Sequence, residues 1–378
     1  RRRIVPVYTV PGEPLNAGFF MLKKVNNIII AVIICALVCC LTSGCKSKSK
    51  FKAPNIKMVT PEYILSIDEL EDGQVWIVGD HGAIFHSFNG GETWEEQNSG
   101  VQDMLCDVDF VDSKNGWVSG IKGTMLHTSD GGYNWKKQTT GTPRHLLALC
   151  FVDTEYGWAA GDFSTILHTR DGGKTWELQS EESDMIYSNI HFTDRQNGWI
   201  VGENGTMLHT INGGKNWETV IPDNFARETI EDEYENPRPG LFGVYFTDKD
   251  HGWICGIDST IMYTADGGIT WKLLNSGNDI LFNIIISGER GWAVGSQGVY
   301  LLSTDHGLTW EKQEESIKSK LSFANVFFRD PMNGWIVGAT GTIVRTTDGG
   351  KSWKFISGLS YEFEGIKMPE GLEKRIIE

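Results

Sequence analysis

Histidines, carboxylates and arginines recur along this chain at spacings that could serve chemistry. His86, His127, His168 and His209 lie 41 residues apart, and repeated imidazoles invite a transition-metal site. Asp130, Asp171, Asp266, Asp305 and Asp348, with Asn89 and Asn212 in equivalent places, sit in segments of the form Ser/Thr-x-Asp-x-Gly-x-Thr-Trp. A second acidic set, Asp80, Asp162, Glu203 and Asp258, follows regularly placed glycines. Paired acids of this kind could act as general acid and base on a glycosidic bond, or hold a cation or a basic peptide. Arg144, Arg170, Arg195, Arg290 and Arg345 could clamp a substrate carboxylate if they converged.

What these residues can do depends on the elements that carry them, and the tryptophans define those elements. All 14 fall into seven pairs 18 residues apart: Trp76/Trp94, Trp117/Trp135, Trp158/Trp176, Trp199/Trp217, Trp253/Trp271, Trp292/Trp310 and Trp335/Trp353. Successive pairs start 41, 41, 41, 54, 39 and 43 residues apart. This is the period of a four-stranded propeller blade. The sequence therefore predicts an all-β protein, a seven-bladed β-propeller of four-stranded blades with Asp-box turns.

Each blade reads strand by strand. The first strand alternates apolar residues, as in Val108/Phe110, Leu149/Phe151 and Ile190/Phe192, the period of a half-buried strand. An aspartate two residues after the Phe opens a turn (Asp112, Asp153, Asp194, Asp248, Asp330). The second strand is expected to start at the first Trp. The glycine three residues later (Gly79, Gly120, Gly161, Gly202, Gly256, Gly295, Gly338) marks a place where neighbouring backbone leaves no room for a Cβ. The Asp box then joins the third and fourth strands. Its Asp or Asn side chain bonds nearby N–H groups, and a glycine takes positive φ. These carboxylates are expected to be structural. The Asp-box Trp is expected to pack between sheets. At about 150–250 Å² and 25 cal/mol/Å², each Trp contributes at most roughly 4–6 kcal/mol before entropy.

On this frame the histidines share a third-strand slot, about 10 Å out from the axis strand. Copies on adjacent blades are then on the order of 12–15 Å apart, too far for zinc, which needs ligands near 2.1 Å. No metal or cofactor is expected. Asp80, Asp162, Glu203 and Asp258, with His81, Lys122, Asn204 and Gln297, fall in second-to-third-strand turns around the channel mouth, opposite the Asp-box face. They are either a binding rim or solvated turn residues. The 54-residue step marks an insertion within 221–240 containing Glu231 and Glu233 among several acids, either an acidic lid or a tolerated loop. Two segments compete to close the ring: Tyr63 to Leu70 aligns with the first strand of blade 1, and Tyr361 to Met368 sits at first-strand spacing after Trp353. The former is favoured.

The run Phe110-Val-Asp112, Gly116-Trp117, Gly120, Gly123-Thr-Met-Leu-His-Thr128-Ser-Asp130-Gly-Gly and Trp135 resembles the photosystem II stability/assembly factor family of BNR/Asp-box propellers. The resemblance covers residues 60–356. In phototrophs that family binds newly made reaction-centre protein, through an arginine-rich surface. The resemblance implies a protein partner and a scaffold role without catalysis.

The chain carries 40% hydrophobic and 22% charged residues and a net charge of −15. Residues 1–20 read as a non-native upstream extension. Residues 21–44 read as a signal peptide, with basic Lys23 and Lys24 ahead of an apolar stretch from Ile28 to Val38. Leu41-Thr42-Ser43-Gly44-Cys45 resembles a bacterial lipobox, with Cys45 as the lipidated residue. Then follow a linker over 45–58, the propeller over 59–368 and a tail over 369–378. Without residues 1–44 the charge becomes −19. Such a surface disfavours nucleic acid and electrostatic docking to anionic lipid. The expected setting is the cell envelope, with a lipid anchor as the sole membrane attachment, a monomer, and a membrane protein or basic peptide as partner. Cys106, Cys150 and Cys255 occupy non-equivalent repeat positions and read as buried core residues without a disulfide framework.

Two function classes remain. The first is a non-catalytic binding or assembly scaffold. The alternative is an Asp-box glycoside hydrolase of the sialidase kind, which would need an arginine triad, whereas the arginines here lie in unlike repeat slots. Fold alone does not separate the two.

Overall fold

The repeating unit of this protein is a tryptophan held between a histidine and a phenylalanine. Trp76 stacks on His86 of its own blade at 4.2 Å and on Phe110 of the next blade at 3.7 Å. The same sandwich recurs as Trp117 with His127 and Phe151, Trp158 with His168 and Phe192, and Trp199 with His209 and Phe246. The first Trp of a pair is therefore the one that packs fully between sheets. The Asp-box Trp, expected there, is half-buried and meets the Phe edge-on, as Trp135 does with Phe110. The four histidines are stacking partners, and burial pushes the imidazoles of His86 and His168 down to about 4.

These sandwiches join seven antiparallel four-stranded sheets, each built from consecutive strands, in a computed structural model that describes residues 61–357 apart from 181–182, 227–236, 314–315 and 318. In blade 2 the strands are Leu105–Phe110, Gly116–Gly120, Met125–Thr128 and Lys136–Lys137. The seven first strands contact one another in a closed ring around the axis. Second strands are buried along their whole length in six blades because neighbouring sheets cover both faces. In blades 2, 3, 4, 5 and 7 the second strand begins one residue before the Trp, at a glycine whose Cβ would strike the Phe ring of its own blade. The glycine three residues after the Trp behaves as expected. A Cβ on Gly161 would strike the His145 carbonyl, and the equivalent clash recurs in all seven blades.

The Asp-box carboxylates hold turns. Asp171 Oδ1 accepts from the Thr175 amide (2.9 Å) and the Thr169 hydroxyl (2.8 Å), and Oδ2 from the Thr175 hydroxyl (2.7 Å). Burial alone would raise this carboxyl, but those bonds hold it below the usual range.

Ile64–Glu69 is the first strand of blade 1. Residues 361–368, its competitor, lie outside the described residues, as do 1–60 with Cys45, and the 369–378 tail. Blades 7 and 1 meet through an isolated bridge, Tyr63 with Ala339, and through side chains. This junction departs from the repeat. Glu69 stands where other first strands place Phe or Ile, and Val75 where they place the glycine under that ring. Glu69 is buried, accepts from Trp335 Nε1 at 3.0 Å and pairs with Arg329 at 3.1 Å. Arg345, in the histidine slot, lies over the Trp335 ring at 5.2 Å.

The three cysteines among the described residues are free, but the buried-core expectation holds for Cys255 alone. Cys106 and Cys150 are half-buried on first strands, because the innermost strand of a propeller borders the open axis. The ends of the insertion are anchored: Phe225 is buried in the cluster between blades 4 and 5, and its carbonyl accepts from Arg238 Nε at 2.9 Å. Glu231 and Glu233 lie outside the described residues.

Candidate functional site

Among the described residues, polar groups gather at the turns of the channel mouth and at the axis where first strands converge. At the mouth each second strand ends in the close-approach glycine, and a tight turn leads to the third strand. The residue after the glycine points inward. In three blades it is an acid that ties down the backbone entering the first strand. Asp80 Oδ1 accepts from Tyr63 N at 3.3 Å, Asp162 Oδ1 from His145 N at 2.7 Å, and Glu203 Oε1 from Ile186 N at 2.9 Å. Ser296 does the same for Ile280 N at 3.3 Å in blade 6. Asp80 and Glu203 are buried, and burial raises the Glu203 carboxyl above its usual range.

The four mouth acids expected as one set are thus split. Asp80, Asp162 and Glu203 fasten backbone, whereas Asp258 sits one position further on and is exposed. Spacing hid this, because Asp258 follows Ile257, the residue that actually fills the inward slot.

That next position has its own geometry. His81, Lys122, Phe163, Asn204, Asp258, Gln297 and Thr340 all adopt left-handed backbone, with φ between 51° and 58°. Six of them are exposed and Thr340 is half-buried. One backbone conformation, repeated around the ring, presents seven different side chains to solvent. Arg144 stacks over the Phe163 ring at 3.9 Å, and Lys122 pairs with Asp103 at 2.8 Å. A cavity of about 320 Å³ opens beside His81, bordered by Glu96, Gln97 and Asn98.

The axis holds carboxylates that sequence reasoning missed. A first strand has one edge without a neighbouring strand, so its N–H groups need other acceptors. Side chains of the preceding blade supply them. Asp68 Oδ2 accepts from Phe110 N at 2.7 Å, Asp107 Oδ2 from Leu149 N at 2.9 Å, and Asp109 Oδ2 from Phe151 N at 2.6 Å. Cys150 Sγ receives Phe192 N, and His191 Nε2 donates to the Phe246 carbonyl at 3.0 Å. Burial pushes Asp68 up to about 7 and Asp107 up to about 6. Burial and the Asp68 charge push Asp109 well up too. The sequence carried little signal for this: Asp107 and Asp109 alternate with Val108 and Phe110 as the polar face of any half-buried strand would.

The sequence pattern of the family described as photosynthesis system II assembly factor YCF48 matches residues 92–146, 139–225 and 229–322. No curated protein matches the chain significantly. Among solved structures, one described as YCF48 bound to D1 peptide is similar, with 22% identity and a TM-score of 0.63, over 77% of this chain and 95% of that one. YCF48 from Cyanidioschyzon merolae is similar at 18% identity and a TM-score of 0.62, over 77% and 97%. A GH74 xyloglucanase from Xanthomonas campestris shares the fold at 9% identity and a TM-score of 0.63, over 79% of this chain and 55% of its own. At these identities the structures speak to fold.

Proposed function

Because the chain belongs to the photosynthesis system II assembly factor YCF48 family, we propose that it is a non-catalytic scaffold that holds a segment of a protein partner at a bacterial membrane surface. The observation that carries this reading is the mouth rim: seven unlike side chains on one repeated backbone, the arrangement expected of a surface that reads a partner. The repeated carboxylates are engaged elsewhere, on Asp-box turns, first-strand entries and free strand edges. A solved relative described as bound to D1 peptide supports a peptide segment as the kind of partner.

In this proposal Asp258 contributes negative charge at the rim, Glu231 and Glu233 of the insertion add to it, and Phe163 offers an apolar contact. Asp80, Asp162 and Glu203 keep the rim in place.

Capture of partners from the native membrane fraction tests the rim. The triple variant Lys122→Ala/Phe163→Ala/Asn204→Ala keeps the wild-type melting temperature and loses at least tenfold of the captured partner. Undiminished capture by a correctly folded triple variant overturns the rim assignment. Turnover of a glycoside panel by the wild-type protein would instead favour the hydrolase reading.

The membrane setting rests on Cys45. With Cys45→Ser the protein leaves the membrane fraction or retains its signal segment. A variant processed and membrane-bound like the wild type refutes lipidation at that residue.

A further inference from the structure

We propose that a pocket on the Asp-box face, at the junction of blades 3 and 4, binds a carboxylate group, with the His168 imidazole N–H as its buried donor and Lys215 as its counter-charge. The pocket lies on the opposite face from the rim and stands or falls independently of it.

The cavity measures about 380 Å³ and is bordered by Tyr156, His168, Arg170, Arg195, Asn212 and Lys215. His168 is only 3% exposed. Its Nδ1 lies 3.1 Å from Gln179 Nε2, and that same amide nitrogen donates to the Gly213 carbonyl at 3.0 Å. The carbonyl accepts only, which fixes the amide; Nδ1 therefore accepts, and the ring proton resides on Nε2. Nε2 has no hydrogen-bond partner among the described residues. A buried N–H without an acceptor is costly, and a ligand oxygen would relieve that cost. Burial holds His168 neutral, pushed down to about 4, so this donor is present throughout the neutral range.

Blade 1 shows what happens without a pocket. His86 has the same Gln contact and the same unpartnered Nε2, but the Phe88 ring packs against it at 3.9 Å. Blade 3 places Arg170 in that slot. It also places Tyr156 where blades 2, 4 and 7 use Asn115, Asn197 and Asn333 to close the turn after the first strand. Asp153 is thereby left for Arg195, which bonds it at 2.6 Å and stacks on the Tyr156 ring at 3.9 Å.

The charge count selects the ligand. Arg195 is paired with Asp153 and, at 3.5 Å, with Glu155; Arg170 is paired with Glu177 at 3.5 Å. Lys215 has no acidic partner among the described residues. The Asp box bordering the pocket carries Asn212, so the carboxylate that five other boxes place there is missing. One uncompensated positive charge and one buried N–H fit a monoanionic carboxylate better than a dianionic phosphate.

The test is a titration of protein labelled with ¹⁵N at histidine, following the His168 ring signals. N-acetylglycine shifts them saturably, and the neutral N-acetylglycinamide does not. Lys215→Glu weakens the response at least tenfold, whereas Lys174→Glu, at the equivalent Asp-box position of blade 3 and outside the pocket, changes it less than twofold. An equal response to the amide, a response that chloride at equal ionic strength reproduces, or equal effects of the two variants overturns the proposal. The amidated tripeptide acetyl-Ala-Glu-Ala separates the sources. Tighter binding than N-acetylglycine assigns the carboxylate to a partner's side chain, and weaker binding assigns it to a chain terminus or free acid.

Discussion

Glu69→Ala lowers the unfolding free energy by about 1–3 kcal/mol, the cost of leaving a buried donor without its acceptor. The substitution strips Arg329 of its contact at 3.1 Å and leaves the buried Trp335 indole N–H without an acceptor. The effect exceeds that of an ordinary surface pair, worth about 0–1 kcal/mol, because Glu69 is 4% exposed. Glu69→Gln keeps an acceptor for Trp335 and loses less. Glu69→Phe needs Val75→Gly beside it, since the other blades show that the Phe ring and a Cβ at that place exclude each other. Denaturant unfolding with unchanged m-value is the measurement. A loss below about 1 kcal/mol for Glu69→Ala would show that the seam between blades 7 and 1 does not depend on this contact.

Asp68→Asn makes the protein more stable than the wild type at pH 8 by a few kcal/mol, and the advantage disappears near pH 4. The folded carboxyl of Asp68 is pushed from an ordinary 3.8 up to about 7, first by burial and then by the neighbouring Asp107 and Glu69 charges. A raised carboxyl carries no penalty below its unfolded value. As pH rises from about 4 to 7, the unfolded chain loses its proton while the folded protein keeps it, and the wild type loses about 1.4 kcal/mol for each pH unit crossed. Asn removes the charge and retains an oxygen for Phe110 N. Asp107 and Asp109 act in the same direction. The buried His86 and His168 and the half-buried His191, each pushed down to about 4, act the other way, since they lose stability as pH falls below about 6.5. The wild-type profile is therefore a balance, and the difference between Asp68→Asn and wild type isolates the carboxylate. Calorimetry at pH 4, 6 and 8 reads it; a constant difference across that range would refute the raised value.

The propeller was legible because tryptophan, glycine and the Asp box are each demanded by a local constraint repeated seven times. Gly161 marks a carbonyl that leaves no space, and Asp171 marks a turn that needs an acceptor. The site was less legible because its geometry depends on which of two adjacent turn positions faces inward. Asp162 and Asp258 look alike in a linear reading, yet one bonds the His145 amide and the other meets solvent. The axis acids were hidden for a related reason. Alternation in Val108 and Phe110 identifies a strand but not that its polar residues serve the exposed edge of the next blade. The blade 3–4 pocket arises from three departures from the repeat, Tyr156, Arg170 and Asn212, on two blades, and only the folded ring brings them together.

Among the described residues no strand is exchanged between the first and last blades, since every sheet is completed by one stretch of consecutive strands. Backbone pairing within the sheets is therefore local, and low sequence separation between partners favours fast formation. Blades can be completed one after another, without waiting for the two ends of the propeller to meet. The long-range event is the meeting of Glu69 with Trp335 and of Tyr63 with Ala339. That places residues 63 and 339 side by side and makes the order of blades around the ring a matter of topology rather than of stability. A circular permutant opened between two other blades would keep all seven sheets and convert today's seam into an ordinary covalent connection.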